Sequence, residues 1–191
     1  MDLFNIFSHA KTWDLDCAIG CAVTQEIKDW VEEEMPRRRA VQGSSPRNSI
    51  TNGKGFEAGA YGERIGMDIF GMGDVRFVSL PDYDFIIKAT RHRHEVKTKE
   101  RTVGPRKNFN CSIAISNLTQ KADFYTFMSC TRYEGQIVAG YWCGSIPCQM
   151  FMERAFRLER GDIDPDSPPG NPWTVKETCL NMRVGDLPFM T

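Results

Sequence analysis

The sequence predicts an α/β or α+β domain with a mixed central sheet flanked by helices. Two segments, 24–35 and 56–70, have apolar residues at helical spacing. After the second, the period changes to strand-like alternation at 75–80, 84–87 and 93–99. The length of 191 residues, with 41% hydrophobic and 26% charged residues, is sufficient for one compact domain with a core.

The N-terminal part is expected to be helical and to lead into a basic loop. Thr24 can cap the first helix, and Pro36 is expected to stop it. The next residues, 37–55, are rich in Arg, Ser, Asn, Gly and Pro without apolar periodicity, which predicts a mobile surface loop. The ~35 residues before that loop are too few to fold alone. We therefore expect a single domain made of an N-terminal helical segment, a mobile basic loop, and a core with its C-terminal extension: 1–36, 37–55 and 56–191.

The second helix is expected to turn a carboxylate toward the core. Its apolar stripe consists of Phe56, Ala60, Met67 and Phe70, and Glu63 occupies the position between Ala60 and Met67. In the alternative interpretation, only the aliphatic stem of Glu63 lies on the core, and its carboxylate stays in water.

Weaker patterns follow in the rest of the chain. Residues 112–122 predict a short helix or an irregular segment, and residues 149–160 predict a helix. A loop rich in Pro and Asp is expected at 161–172. Further strands are expected at 124–130, 136–142 and 173–179.

Composition and motifs exclude several classes of protein. No apolar run reaches about 18 residues, and the N-terminus lacks the basic start of a signal peptide, so we expect an intracellular protein without membrane contact. Its location would be the cytoplasm, or the host cytoplasm if the protein is viral. Seven cysteines without a Cys-x-x-Cys pair predict reduced, buried thiols. The chain has no phosphate-binding loop for ATP and no His-Glu-x-x-His zinc motif, so neither ATP-driven chemistry nor zinc hydrolysis is expected.

Charged residues gather on one face of the predicted strand at 93–99. Side chains alternate along a strand, so Glu95 and Lys97 point the same way and Val96 points the other way. A hairpin would lay the strand of Asp84 antiparallel beside it, so that Asp84 and Glu95 meet at one end. Two carboxylates within about 4 Å repel each other unless a cation lies between them, and Mg²⁺ or Mn²⁺ suits oxygen ligands. The expected ligands are Asp84, Glu95 and the carbonyl of Val96, completed by waters and a substrate phosphate.

Such a site suits hydrolysis of a phosphodiester. The ion would neutralise the phosphate and lower the pKa of a bound water. Lys97 would orient or deprotonate that water and stabilise the developing charge, and Glu63 would hold a metal-bound water or a second ion. The alternative for Glu95 and Lys97 is an ordinary ion pair on an exposed strand face.

Several of these motifs, in this order, resemble the core of PD-(D/E)XK nucleases. The resemblance covers residues 56–130, and it implies a restriction-endonuclease-like αβββαβ core, a divalent metal, and DNA as substrate. Either Asp82 or Asp84 matches the family's aspartate, and Asp84 is preferred because it directly precedes apolar strand residues. The motifs are the helix with Glu63, Pro81-Asp82-Tyr83-Asp84, Glu95-Val96-Lys97-Thr98, and Lys121-Ala122-Asp123-Phe124-Tyr125 at the start of a strand.

The same resemblance implies a polar contact from the segment that follows the lysine. Ser116-Asn117 or Gln120 is expected to supply it. The small size of the chain and its lack of a separate recognition domain favour a nuclease of replication, recombination or genome processing, such as one from a phage. The sequence does not decide between exonuclease and endonuclease activity. It also leaves the oligomeric state open, including a homo-oligomer.

A basic strip lies beside the expected metal site. Between positions 88 and 107 there are eight Lys or Arg residues against two acids. Such a strip predicts phosphate binding, although a solvated face has the same composition. Arg37 to Arg39, with Arg47, in the basic loop could also wrap a strand of nucleic acid, and a nuclear-localisation run or a merely soluble loop has the same composition. The candidate DNA-binding residues of the strip are Arg91, Arg93, Lys99, Arg101, Arg106 and Lys107.

Two other functions compete with the nuclease interpretation. The first is a nucleic-acid-binding protein that keeps the fold without cleaving. The second is a structural or partner-binding protein with no role on nucleic acid, for which a shallow salt dependence of DNA binding is expected.

Overall fold

The structure is a computed structural model that describes residues 12–42, 55–71, 75–80, 82–165, 167 and 170–188. These residues form three α-helices and ten β-strands, in two sheets. The helices are α1 (Gln25–Gln42), α2 (Phe56–Phe70) and α3 (Cys148–Arg154). The strands are β1 (Thr12–Leu15), β2 (Ala18–Ala22), β3 (Val75–Leu80), β4 (Tyr83–Ile87), β5 (Arg93–Arg101), β6 (Asn110–Ala114), β7 (Phe124–Tyr133), β8 (Gln136–Pro147), β9 (Phe156–Leu158) and β10 (Cys179–Arg183).

The main sheet is mixed, as the sequence predicts. In the described part of the chain it has seven strands in the order β1-β2-β8-β7-β5-β4-β3. Neighbouring strands are antiparallel except β5 and β7, which run parallel. A smaller antiparallel sheet has the order β6-β10-β9.

Alternation along the central strands separates two hydrophobic cores. Val96 of β5 and Met128 of β7 pack with Ile65 of α2 on one face of the main sheet. Tyr125 and Phe127 of β7 pack on the other face, together with residues of α3 and the smaller sheet. Because β5 and β7 pair in register, residues 95 and 97 of β5 lie beside Tyr125 and Phe127, on the face away from α2.

The first helix differs from its prediction at its C-terminal end. Thr24 caps it as expected, since its Oγ1 accepts a hydrogen bond from the Ile27 N–H at 3.3 Å. Pro36 does not stop it: α1 continues to Gln42, so residues 37–42 are helical and not part of a loop. A proline inside a helix costs about 3 kcal/mol, and the turn after Pro36 gains side-chain contacts with α2 that oppose this cost. The rest of the predicted loop, 43–54, lies outside the described residues.

Other elements confirm the predictions to different degrees. The helix at 56–70 and the strand at 75–80 have the predicted bounds, and most other predicted strands are longer than expected. The predicted helix at 149–160 is wrong in its second half, because residues 156–158 pair with β10 as strand β9. Tertiary strand pairing overrides helical periodicity there. The last strand is Cys179–Arg183, not 173–179.

The N-terminal segment is also more than a helix. Strands β1 and β2 precede α1, and β2 pairs with β8 at the edge of the main sheet. The segment therefore contributes to the same sheet as the rest of the chain.

The crossover from β5 to β7 departs from the αβββαβ order. The order α2-β3-β4-β5 is present, and β7 follows parallel to β5. Residues 102–123, all of them described, contain β6 and a short 3₁₀ turn at Ile115–Asn117, but no α-helix. The second helix of the predicted core is therefore replaced by a strand that starts the smaller sheet.

Candidate active site

The hairpin of β4 and β5 opens at the place where Asp84 and Glu95 meet. The turn at 88–92 is closed by the Ile87 N–H, which donates to the His92 carbonyl at 3.0 Å. The ladder between the strands contains only the pairs Ile86 with Arg93 and Phe85 with His94. Asp84 and Glu95 are the next residues on each strand, so they stand opposite each other one step beyond the last pair.

Asp84 turns its carboxylate toward the backbone of β5. Its Oδ2 accepts a hydrogen bond from the Val96 N–H at 2.7 Å. In an extended strand, the N–H and C=O of one residue point to the same side. The carbonyl of Val96 therefore faces the side of β5 on which Asp84 lies, as expected for a group that would share a ligand with Asp84.

Glu63 approaches the same place from α2. It is buried, and both its carboxylate oxygens accept hydrogen bonds from the guanidinium of Arg38 in α1, at 2.7 and 2.5 Å. Arg38 also lies 3.5 Å from Glu34, one turn earlier in α1. The prediction that Glu63 points inward is confirmed, and we call Glu63, Asp84 and Glu95 the acidic cluster.

Lys97, Glu95 and Gln120 form a closed set of hydrogen bonds. Lys97 Nζ donates to Glu95 Oε1 at 2.7 Å and to Gln120 Oε1 at 2.9 Å. Gln120 Nε2 donates to the same Glu95 Oε1 at 2.8 Å. Glu95 is 6% exposed, so the ion pair with Lys97 is not the exposed surface pair of the alternative interpretation. Glu95 Oε2 is buried and accepts no hydrogen bond from a described residue.

Mutual repulsion and burial hold the acidic cluster in an unfavourable electrostatic state. Burial raises the pKa of Asp84 well above its usual range, and the charges of Glu63 and Glu95 raise it further, while the Val96 N–H and Lys97 oppose the rise. Burial also raises the pKa of Glu63, against the opposing effect of Arg38. Three carboxylates that influence one another in this way favour the binding of a cation.

The described residues do not form a complete metal cage. Among them, no three His, Cys, Asp or Glu side chains are grouped so that together they hold an ion. Arg38 occupies both oxygens of Glu63, and Lys97 and Gln120 occupy one oxygen of Glu95. The unpartnered Glu95 Oε2, the Val96 carbonyl and Asp84 fit the two-carboxylate set predicted from the sequence.

Asp82 and Asn117 are the other predicted supporting residues. Asp82 is 3.8 Å from the exposed Lys121, so the structure places Asp84, and not Asp82, beside Glu63 and Glu95. Asn117 is buried in the 3₁₀ turn, where its backbone carbonyl accepts the Gln120 N–H at 3.3 Å. Gln120 of this segment contacts Lys97 and Glu95, and Asn117 lies one turn before it.

The predicted basic strip is not one continuous exposed surface. Arg91, Arg106 and Lys107 are exposed. Arg93 is paired by two hydrogen bonds with Asp123, at 2.9 and 2.7 Å, which neutralises it. Side chains 99 and 101 turn under the smaller sheet, as described below.

A second buried polar group lies on the face of β5 that packs against α2. His94 Nδ1 is 2.8 Å from Thr126 Oγ1, which is 3.0 Å from Ser145 Oγ, and Trp142 Nε1 donates to Ser145 at 3.1 Å. The His94 ring is stacked with Phe85 at 5.2 Å and packs against other aromatic rings. Burial lowers the pKa of His94 to about 4, so its ring is neutral near pH 7. We call His94, Thr126, Ser145 and Trp142 the histidine network.

Sequence reasoning missed the role of Arg38. Pro36 led to the prediction of a loop from residue 37, which detached Arg38 from α1. The i, i+4 spacing of Glu34 and Arg38 is the signal that favours a continued helix with an ion pair on one face.

The chain matches no protein-family model, and no curated protein sequence is significantly similar to it. The resemblance to PD-(D/E)XK nucleases therefore rests on the order and placement of the site residues alone. Among the described helices, none is both long and apolar enough to cross a membrane.

Proposed function

We propose that this protein is a metal-dependent nuclease that hydrolyses DNA phosphodiester bonds and is distantly related to PD-(D/E)XK nucleases. The observation that carries the proposal is the acidic cluster at the open end of the β4–β5 hairpin, with Lys97 beside it. Two neighbouring strands and a helix bring three carboxylates and one amine to this place.

The residues present fit Mg²⁺ or Mn²⁺. Asp84, Glu95 and the Val96 carbonyl would hold the ion, and Glu63 would support it through a water. The unpartnered Glu95 Oε2 and the raised pKa of Asp84 fit a site that binds a cation. When bound, the ion supplies charge neutralisation at the phosphate and a more acidic water.

Lys97 and Gln120 supply the protein's own part of the chemistry. Gln120 contacts both Lys97 Nζ and Glu95 Oε1, so it fixes the ammonium group at the edge of the cluster. From there Lys97 can donate hydrogen bonds to an attacking water or to the negative oxygens of the phosphate in the transition state.

Arg38 sets the charge of Glu63. In the described arrangement it neutralises that carboxylate by a bidentate pair, which leaves Asp84 as the least compensated member of the cluster. Arg38 is therefore a positioning residue that acts through Glu63.

Cleavage assays on the full chain test the proposal. Labelled single-stranded, double-stranded and circular DNA are incubated with Mg²⁺, Mn²⁺ or EDTA. We expect cleavage with either ion, none in EDTA, and loss of cleavage in Asp84→Asn and Glu95→Gln. Asp82→Asn and Glu153→Gln are the matched controls, because the first lies next to the cluster in sequence and the second is an exposed glutamate of α3.

A non-cleaving nucleic-acid-binding protein is the second candidate. The observation that favours it is that Arg38 and Lys97 already neutralise Glu63 and Glu95 without any metal. Retained DNA with no cleavage in Mg²⁺ or Mn²⁺, and unchanged DNA affinity in Asp84→Asn, would decide for this candidate.

A further inference from the structure

Lys99 and Arg101 continue the face of β5 on which Glu95 and Lys97 lie. Side chains two apart on a strand share a face and are separated by roughly 7 Å. Lys97, Lys99 and Arg101 therefore form a line of positive charges that starts at the acidic cluster.

These two cations lie under the smaller sheet without acidic partners. Burial lowers the pKa of Lys99, Arg101 lowers it further, and the opposing influences include Cys111 of β6 and Cys179 of β10. Neither residue forms an ion pair with a described residue. Asp164 influences both from a greater distance, and its carboxylate accepts hydrogen bonds from Asn110 Nδ2 at 3.2 and 3.4 Å.

Arg101 is held in place but is not satisfied. Its Nη2 donates to the Asn110 carbonyl at 2.9 Å, and its guanidinium lies over the Phe109 ring, 4.4 Å from the centroid. Its Nε is buried and has no hydrogen-bond partner among the described residues. The planar group is thus fixed, and its buried Nε–H is unpaired.

The neighbouring strand adds two hydroxyl groups to the same face. The parallel register pairs Lys99 with Ser129 and Arg101 with Thr131. Ser129 is 2% exposed, and both Ser129 Oγ and Thr131 Oγ1 are buried without a hydrogen-bond partner. Buried polar groups are nearly always paired, so the two hydroxyls side by side can bind a polar ligand.

We infer that Lys99, Arg101, Ser129 and Thr131 form a phosphate-binding site, here called the phosphate row, which holds a phosphate of the nucleic-acid strand next to the one that is cleaved. Water would satisfy the two hydroxyls but would not offset the repulsion between two partly buried cations. An anion with several acceptor oxygens does both.

The assignment of the bound phosphate to a nucleic-acid strand rests on the proposed nuclease function. The phosphate row leads away from Lys97 along one strand, so it fits successive phosphates of a single chain. Because its members lie along two neighbouring strands and Ser129 is buried, we assign the phosphate row to one chain of nucleic acid and not to an intact duplex.

Thermal unfolding without metal or nucleic acid tests the phosphate row by itself. Sodium phosphate is compared with sodium chloride at equal ionic strength. At ten times its dissociation constant, phosphate is expected to raise the Tm of the wild type by roughly 3–6 °C. Lys99→Met is expected to fold, because it removes a desolvated charge, and to lose the shift. Lys121→Met, the same change at an exposed site, is expected to keep it.

Binding of a labelled single-stranded oligonucleotide in EDTA tests the assignment to nucleic acid. We expect Lys99→Met to weaken binding about tenfold and to reduce the salt slope by about one, with little effect on a blunt duplex. Ser129→Ala, which deletes a buried hydroxyl, is a second variant with the same direction of effect.

The absence of a phosphate shift in the wild type, or an equal shift in Lys99→Met, overturns the phosphate row. A shift lost in Lys99→Met with unchanged oligonucleotide affinity shows a site for free phosphate and overturns the assignment to substrate. A protein that never cleaves DNA but shows the phosphate shift contradicts the proposed function and leaves the phosphate row intact.

Discussion

Glu95 of the acidic cluster and His94 of the histidine network are neighbours in sequence on opposite faces of β5, and the electrostatics of the two groups differ. In the histidine network, neutral groups bond in a chain from His94 through Thr126 to Ser145, and aromatic rings surround the imidazole. In the acidic cluster, like charges are held together, and one carboxylate oxygen has no partner among the described residues. His94 Nε2 also lacks a described partner, so the repulsion between like charges, and not the unpaired atom, distinguishes the acidic cluster.

The histidine network has the properties of a structural polar group, and the acidic cluster has those of a candidate functional one. A buried polar network that is largely satisfied stabilises the fold and fixes the register of the strands. A cluster whose members repel one another destabilises the fold and persists when a ligand or a reaction uses it. Variants in the two groups should therefore have opposite effects on stability and on activity.

The largest expected effect is on activity, at Lys97. Lys97→Met removes the only ammonium group seen to contact the acidic cluster among the described residues. We expect cleavage to fall about 10²- to 10⁴-fold, the usual contribution of a general acid or base. The Tm is expected to fall as well, because the substitution leaves the buried Glu95 without its ammonium partner. Single-turnover cleavage rates measure the loss of activity, and Lys121→Met is the control. Wild-type rates in Lys97→Met would remove Lys97 from the mechanism.

The next effect is a loss of stability in acid that comes from the histidine network. The pKa of His94 is lowered to about 4 in the folded protein, from about 6.5 in the unfolded chain. The unfolded chain therefore binds the proton more readily, and folding stability falls as the pH drops from 6.5 toward 4. At pH 4 the loss reaches about 3 kcal/mol.

Urea unfolding of the wild type and of His94→Phe across this pH range measures that loss. The phenyl ring keeps the stacking with Phe85 and does not titrate, so the variant should lose less stability in acid than the wild type. Parallel pH profiles for the two proteins would show that His94 does not cause the loss.

A smaller effect is expected from breaking the same network at its centre. Ser145→Ala leaves the Trp142 N–H and the Thr126 hydroxyl without the bonds that Ser145 provides. We expect a loss of ~1–3 kcal/mol in the free energy of unfolding and no change in cleavage. Ser116→Ala, at an exposed serine, is the control, and a change below 0.5 kcal/mol would mean that water replaces the hydroxyl.

The sequence predicted the parts of this molecule that depend on local pattern. Strand alternation is enough to place Glu95 and Lys97 on one face, and helical spacing is enough to turn Glu63 inward. The adjacency of Asp84 and Glu95 followed from a short hairpin. These features depend on periodicity over a few residues, which the sequence contains directly.

The parts that failed depend on contacts between distant segments. Pro36 is tolerated inside α1 where Arg38 reaches Glu63, 25 residues further along the chain. Lys99 and Arg101 were expected on an exposed strip, because alternation alone does not show which face a second sheet covers. The strand at 156–158 exists because β10 pairs with it, and that partner comes some 20 residues later.

The smallest expected effect is a gain in stability from a change in the acidic cluster. Folding raises the pKa of Asp84, so the folded protein holds that proton more tightly than the unfolded chain does. Stability from this group is therefore lost as the pH rises from the unfolded pKa through the raised folded value. Asp84→Asn removes the repulsion and keeps an oxygen that can accept the Val96 N–H, so we expect it to be more stable at pH 7 by about 1 kcal/mol, or roughly 2–4 °C in Tm.

Addition of a divalent ion tests whether the acidic cluster binds metal. Mg²⁺ or Mn²⁺ that binds the folded protein should raise the Tm of the wild type. It should leave the Tm of Asp84→Asn unchanged, because that substitution already removes the repulsion between carboxylates that the ion would offset. Asp82→Asn should respond like the wild type, since Asp82 lies with Lys121 outside the cluster. If all three proteins respond equally, the ion binds elsewhere, and the raised pKa of Asp84 needs a cause other than an absent cation.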